Sequence, residues 1–171
     1  MNGETIHPVL LRDEELAQQC EMEFLRRSGP GGQHRNKVET AVRLRHRPTG
    51  VEAEASERRT QAANRRVAME RLRVNLALEV RLPRPPTAPP SPLWQSHCPR
   101  GRIRISRRHA EFPALLAEAL DVVAAADIDL RLAAQRLGTT PSQLVKLFRK
   151  EPRALALVNR WRLRRGLSPL R

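Results

Sequence analysis

Proline placement constrains this chain more than any other feature. Seven of the seventeen residues from 83 to 99 are proline: Pro83, Pro85, Pro86, Pro89, Pro90, Pro92 and Pro99. Proline lacks an amide donor and fixes φ, so such a run is expected as an extended, semi-stiff spacer. It divides the 171 residues into 1–82, a linker 83–99 and 100–171. Trp94 sits inside it as a possible anchor.

The two parts differ in charge. Residues 1–82 hold 15 basic and 12 acidic side chains, whereas 83–171 hold 17 and 6. Within the first part, residues 24–47 carry seven cations against Glu39 alone. A basic excess of this size points to phosphate-rich partners. Lys occurs only at 37, 146 and 150, and the fork of Arg suits bidentate phosphate contacts. No apolar run approaches the roughly 20 residues of a membrane span, so no membrane partner is expected. The first 23 residues hold Arg12 and six acids, unlike a secretory or transit leader, so a cytoplasmic location is expected. Cys20 and Cys98, the only cysteines, read as reduced thiols, and no metal site or cofactor is expected.

Periodicity gives the first part an α+β reading: a small β-sheet packed by a long helix. A short helix is expected over 13–20 and a strand over 21–25. Residues 28–32 form a loop, because Gly29, Pro30, Gly31 and Gly32 break any regular element. Residues 38–55 read as a hairpin turning at Pro48-Thr49-Gly50. Placing Arg47 opposite Gly50 sets Arg45 against Glu52, Arg43 against Glu54 and Leu44 over Ala53. His46 then falls on the buried side as a structural residue. Ser56 is the expected cap of a helix over 57–81 with Met69, Leu72, Leu76 and Val80 on one stripe.

The second part reads as a small all-α module. A short strand is expected at 102–105, then helices at 111–126, 130–137, 141–150 and 152–165. Residues 130–150 have helix-turn-helix character. The second of those helices would present Gln143, Lys146, Arg149 and Lys150 to a nucleic acid, and an ordinary helical hairpin fits equally well. Phe148 and Trp161 read as core rather than base-stacking residues. His7, His97 and His109 lie in no motif.

The segment Arg26-Arg27-Ser28-Gly29-Pro30-Gly31-Gly32-Gln33-His34-Arg35-Asn36-Lys37 carries the chemistry. Glycines without Cβ allow close backbone approach and outward amide donors. Gln33 adds a neutral donor and acceptor. Arg26, Arg27, Ser28, His34, Arg35, Asn36 and Lys37 form a polar and basic collar for RNA contacts. The design suits a slim neutral tip entering an anionic cleft.

Gly-Pro-Gly-Gly-Gln-His-x-Asn-Lys followed by a strand resembles the catalytic domain of class I peptide-chain release factors. Glu57-Arg58-Arg59-Thr60-Gln61-Ala62-Ala63-Asn64 is similar to that family's second signature, where the long helix begins. The resemblance spans residues 21–81. It implies hydrolysis of the peptidyl-tRNA ester in the peptidyl transferase centre of the large ribosomal subunit. Gly31, Gly32 and Gln33 map onto the catalytic tripeptide, and Gln33 onto the family's site of N-methylation, which implies a glutamine methyltransferase as a further partner. Arg59 falls in the second signature as an RNA contact. The remaining implied partners are peptidyl-tRNA and ribosomal RNA, and a monomer is expected. Arg35 departs from the apolar residue common at its position, and Thr60 from the common serine. About thirty residues precede the loop, too few for a codon-reading domain, so the resemblance is closest to short, codon-independent ribosome-rescue factors. Such factors usually end in a basic tail or helix. Here Arg160, Arg162, Arg164 and Arg165 would supply RNA contacts from a folded module, with a second cluster at Arg100, Arg102, Arg104, Arg107 and Arg108. Two other readings stand beside this one: a non-catalytic ribosome or RNA binder, and a DNA-binding regulator acting through the C-terminal helices.

Overall fold

The structure is a computed structural model that describes residues 6–25 and 40–171. Its contacts divide the chain into two units, Met1–Glu79 and Val80–Arg171. The fold is α+β.

In the first unit, helix α1 (Asp13–Gln18) leads into strand β1 (Cys20–Leu25). The helix is shorter than its periodicity suggests, because Cys20 already pairs with His46 in the sheet. Strands β2 (Ala41–His46) and β3 (Glu52–Ala55) complete an antiparallel sheet of order β1-β2-β3. The expected hairpin register holds: Arg43 pairs with Glu54, Leu44 with Ala53 and Arg45 with Glu52. Gly50 makes the turn possible, with φ of 73° and its amide donating to His46 O at 2.8 Å.

Alternation sorts the two faces of this sheet. Val42, Leu44, Ala53 and Ala55 are buried beneath helix α2 (Gln61–Glu79), which contributes Ala68, Met69, Leu72, Leu76 and Ala77. The helix packs on β2 and β3. Edge strand β1 is covered less, so Met22 and Phe24 remain 40% and 43% exposed. On the other face the two β2 arginines lie between glutamates. Arg43 reaches Glu54 at 2.7 Å and Glu23 at 3.4 Å, and Arg45 reaches Glu52 at 3.5 Å. Arg73 ties the N-terminal segment to α2 by donating to Val9 O, Leu11 O and Asp13.

The second unit contains helices α3 (Pro92–His97), α4 (Phe112–Ala125), α5 (Leu130–Arg136), α6 (Pro141–Arg149) and α7 (Pro152–Arg164). The proline-rich segment is part of this unit rather than a spacer outside it. Ser91 caps α3 by accepting from Trp94 N, and Pro92 occupies the first turn, where a missing amide costs nothing. Glu118 of α4 accepts from Ser91 N at 2.8 Å and pairs with Arg84 at 3.0 Å. Trp94 is 1% exposed and donates its indole N–H to Leu137 O at 2.8 Å. The core of this unit also holds Phe112, Leu115, Leu116, Leu120, Leu144, Leu147 and Phe148, all fully buried.

The short strand expected at 102–105 is absent. Side chains satisfy that backbone instead: Gln143 accepts from Ile103 N at 3.2 Å, and Lys150 donates to Ile105 O. No described helix is long and apolar enough to cross a membrane.

Two stability predictions follow from these contacts. Trp94→Ala should cost the second unit about 3–5 kcal/mol in a denaturant titration, whereas a spacer residue would cost almost nothing. His46 is 1% exposed, donates from Nε2 to Gln19 and meets Thr49 through Nδ1; burial holds its imidazole below the usual pKa. A depressed histidine contributes stability above its unfolded pKa of about 6.5, and that stability is lost as pH falls. Protection factors of the Val42 and Leu44 amides should therefore drop between pH 7 and pH 5 by more in the wild type than in His46→Gln.

Candidate functional site

Strands β1 and β2 meet in a terminal rung of the sheet. Leu25, the last residue of β1, pairs with Ala41, the first residue of β2. The residues expected to do chemistry or bind RNA between them lie outside the described residues: Arg26, Arg27, Ser28, Gly31, Gly32, Gln33, His34, Arg35, Asn36 and Lys37. The structure instead defines the base from which that segment departs.

Asn64 organises this base. It lies in the first turn of α2 and is fully buried. Its Nδ2 donates to Thr40 O at 2.6 Å and to Arg58 O at 3.0 Å, while its Oδ1 accepts from Arg58 N at 2.8 Å. One amide therefore joins the chain returning from the loop to the segment before the helix. Because Arg58 gives its backbone groups to Asn64, α2 starts at Gln61 rather than near Ser56. Thr60 Oγ1 accepts from Ala63 N at 3.2 Å and serves as the cap. Arg71 braces the same segment through Glu57 at 2.5 Å and Glu54 O at 2.7 Å.

Arg59 is exposed beside this clamp, as are Arg58, Arg65 and Arg66. Their side chains make no ion pair among the described residues. Arg65 and Arg66 follow Arg58 and Arg59 seven residues on in the sequence, a repeated Arg-Arg signal that could have added three arginines to the expected set. Arg43 and Arg45, by contrast, are neutralised within the sheet.

In the second unit, the eighteen Lys and Arg residues of 80–171 face six acids, an excess of twelve. Every one of those acids is engaged inside the unit. Asp121 pairs with Arg81 at 2.8 Å, Glu118 with Arg84, Glu151 with Arg107 and Arg153 at 2.7 Å each, Asp127 with Arg165 at 2.5 Å and Glu111 with His97 at 2.6 Å. Asp129 caps α5 by accepting from Arg131 N and Leu132 N. Burial pushes the Asp121 carboxyl up to about 6 against the pull of Arg81. Burial acts the same way on Glu151, where Arg153 and Arg107 outweigh it and hold the group below its usual value.

Of the four expected contacts on α7, Arg160 and Arg164 share one exposed face at a spacing of four and have no acidic partner among the described residues. Arg162 donates to Ser168 O at 2.7 Å, and Arg165 is paired with Asp127, so both hold the unit's own C-terminal turn. On α6, Gln143, Arg149 and Lys150 are bonded to Ile103, Arg171 and Ile105. Lys146 alone of the four residues assigned to a recognition helix stays exposed without such a contact. Phe148 is core as expected, and Trp161 is partly buried beneath the Arg81 guanidinium, 6.0 Å from the ring.

The family model for the RF-1 domain matches residues 13–89, the sheet, the loop and the whole of α2. Over these residues the chain is similar to the class I release factors. Peptide chain release factor 1 of Caldicellulosiruptor saccharolyticus is 47% identical over 68 residues, 40% of this chain and 18% of that protein. Peptide chain release factor 1 of Leuconostoc citreum is 56% identical over 54 residues, 31% of this chain and 15% of that protein. The chloroplastic release factor PrfB1 of Arabidopsis thaliana is 50% identical over 56 residues, 33% of this chain and 12% of that protein. The chain thus spans less than a fifth of the length of these relatives.

Asn64→Ala should leave Thr40 O and both backbone groups of Arg58 without their partner. The expected cost is about 1–3 kcal/mol, read by denaturation, with exchange protection lost first at the start of β2.

Proposed function

We propose that this protein hydrolyses the peptidyl-tRNA ester on the ribosome and releases the nascent peptide without reading a stop codon. The observation that carries this reading is the placement of Gly31-Gly32-Gln33, within the matched residues 13–89, between two strand ends that pair at Leu25 and Ala41. The tripeptide would enter the peptidyl transferase centre of the large subunit. There the Gln33 backbone amide donates to the oxygen on which negative charge develops as water attacks the ester carbonyl. The Gln33 side chain orients that water and excludes bulkier nucleophiles. The glycines permit the approach of backbone to substrate. The motif holds no side-chain base, so proton transfer falls to ribosomal RNA and substrate hydroxyls.

The rest of the chain supplies anchorage. Arg58, Arg59, Arg65 and Arg66 flank the loop base, and Arg160, Arg164, Arg100, Arg102, Arg104 and Arg108 give the second unit exposed cations without acidic partners among the described residues. Such contacts grip the RNA backbone and carry no sequence information, which suits recruitment independent of a codon. Gln33 is the position a glutamine methyltransferase would modify.

A non-catalytic RNA-binding role is the second reading, favoured by the cation excess of the second unit taken alone. The DNA-reading alternative loses most of its proposed contacts to bonds within the chain.

Release of labelled peptide from ribosomes holding peptidyl-tRNA with no stop codon separates the readings. The wild type should release peptide, and Gly32→Ala should lower the rate by about 10²–10³ while ribosome binding persists. Binding without release by the wild type would leave only the RNA-binding role. Replacing Arg160 and Arg164 with Ala should weaken ribosome binding and flatten its salt dependence by about one to two units of slope.

A further inference from the structure

His97, His109 and Glu111 stand far from the loop in sequence and belong to no recognised motif, yet the second unit gathers them. His97 ends α3, and the other two sit in the turn before α4. Their ligand atoms all lie within 4.8 Å of one another. His97 Nε2 is 2.6 Å from Glu111 Oε2, and His109 Nδ1 is 3.8 Å from the same oxygen. The two imidazoles meet edge to face, with ring centroids 5.2 Å apart.

We propose that these three side chains bind a divalent transition cation of the zinc type. Two imidazoles and a carboxylate form a recurrent donor set for that metal, with bonds of about 2.0–2.2 Å. Tetrahedral ligation at those lengths places ligand atoms about 3.3 Å apart, a value lying between the two separations seen here. His97 is already oriented for ligation. Its Nδ1 donates to Arg104 O at 3.1 Å and its Nε2 donates to Glu111; a cation that displaces the Nε2 proton finds that nitrogen already aimed at the carboxylate. A backbone carbonyl behind a metal-binding histidine is a common support. His109 gives up one long contact, the 3.2 Å bond its Nδ1 accepts from Glu111 N, in exchange for the metal. His109 and Glu111 are exposed, so water can reach the site and complete the coordination.

The position gives such a cation work to do. His97 and His109 bracket the segment that carries Arg100, Arg102, Arg104, Arg107 and Arg108. A metal bound at its two ends closes that segment into a loop and narrows the conformations its arginines explore.

Calorimetric titration of the full chain with zinc chloride tests the proposal, with cobalt absorption as a second readout of ligand geometry. Neither needs a ribosome, so the result is independent of the proposed hydrolysis. One ion per chain at micromolar affinity is expected, weakened at least about tenfold by His109→Ala and by Glu111→Gln. Zinc should also slow tryptic cleavage between Arg100 and Arg108 in the wild type and not in His109→Ala. Absence of saturable uptake up to millimolar zinc, or uptake of equal affinity in both variants, would overturn the site.

Discussion

The first unit turns on the buried amide of Asn64. A polar side chain without solvent access must meet its hydrogen-bonding demands inside the protein, and here it meets them with the backbone of two separate segments. That requirement fixes where the chain returns from the loop and delays the start of α2. It also brings Arg58 and Arg59 beside the strand ends. The position of the loop base is thus set by a satisfied polar group rather than by apolar packing, and the hydrophobic face of α2 acts one turn further along, from Ala68 onward.

The two units handle their arginines in opposite ways. In the sheet, Arg43 and Arg45 lie between glutamates of the neighbouring strands, so a stretch that looks strongly basic in sequence is largely neutralised once folded. The second unit commits its few acids to ion pairs and a cap. Most of the arginines beyond those pairs, Arg136 and Arg162 excepted, stay exposed, and their charge is what the unit presents to solvent. Counting charge along a chain misses this distinction, because it depends on which side chains share a rung or a turn.

What was legible in the sequence was local or periodic. The hairpin register could be read because Gly50 fixes the turn and one register alone pairs Arg43 and Arg45 with glutamates while burying Leu44. The helices of the second unit were marked by caps such as Thr140 and by prolines at first turns. The failures were long-range. Proline content suggested an extended, semi-stiff spacer, but Trp94 finds Leu137 forty-three residues away and draws the segment into the core. Residues 102–105 alternate like a strand, yet Gln143 and Lys150 supply the partners a second strand would have given. His97 and His109 carried no signal, since their proximity depends on how α3 and the turn before α4 meet.

The second unit's charge has a further consequence. Its cations are almost all guanidinium groups, which stay protonated at any physiological pH, and most of its carboxylates are held by cationic or backbone partners. Across the cellular pH range the sixteen guanidinium groups keep their charge, while Asp121, held up to about 6, and His97, raised by Glu111, are groups that titrate near it. The guanidinium groups themselves are insensitive to protons in that range and responsive to counterions, so ionic strength is the main variable that governs how firmly they hold a polyanion.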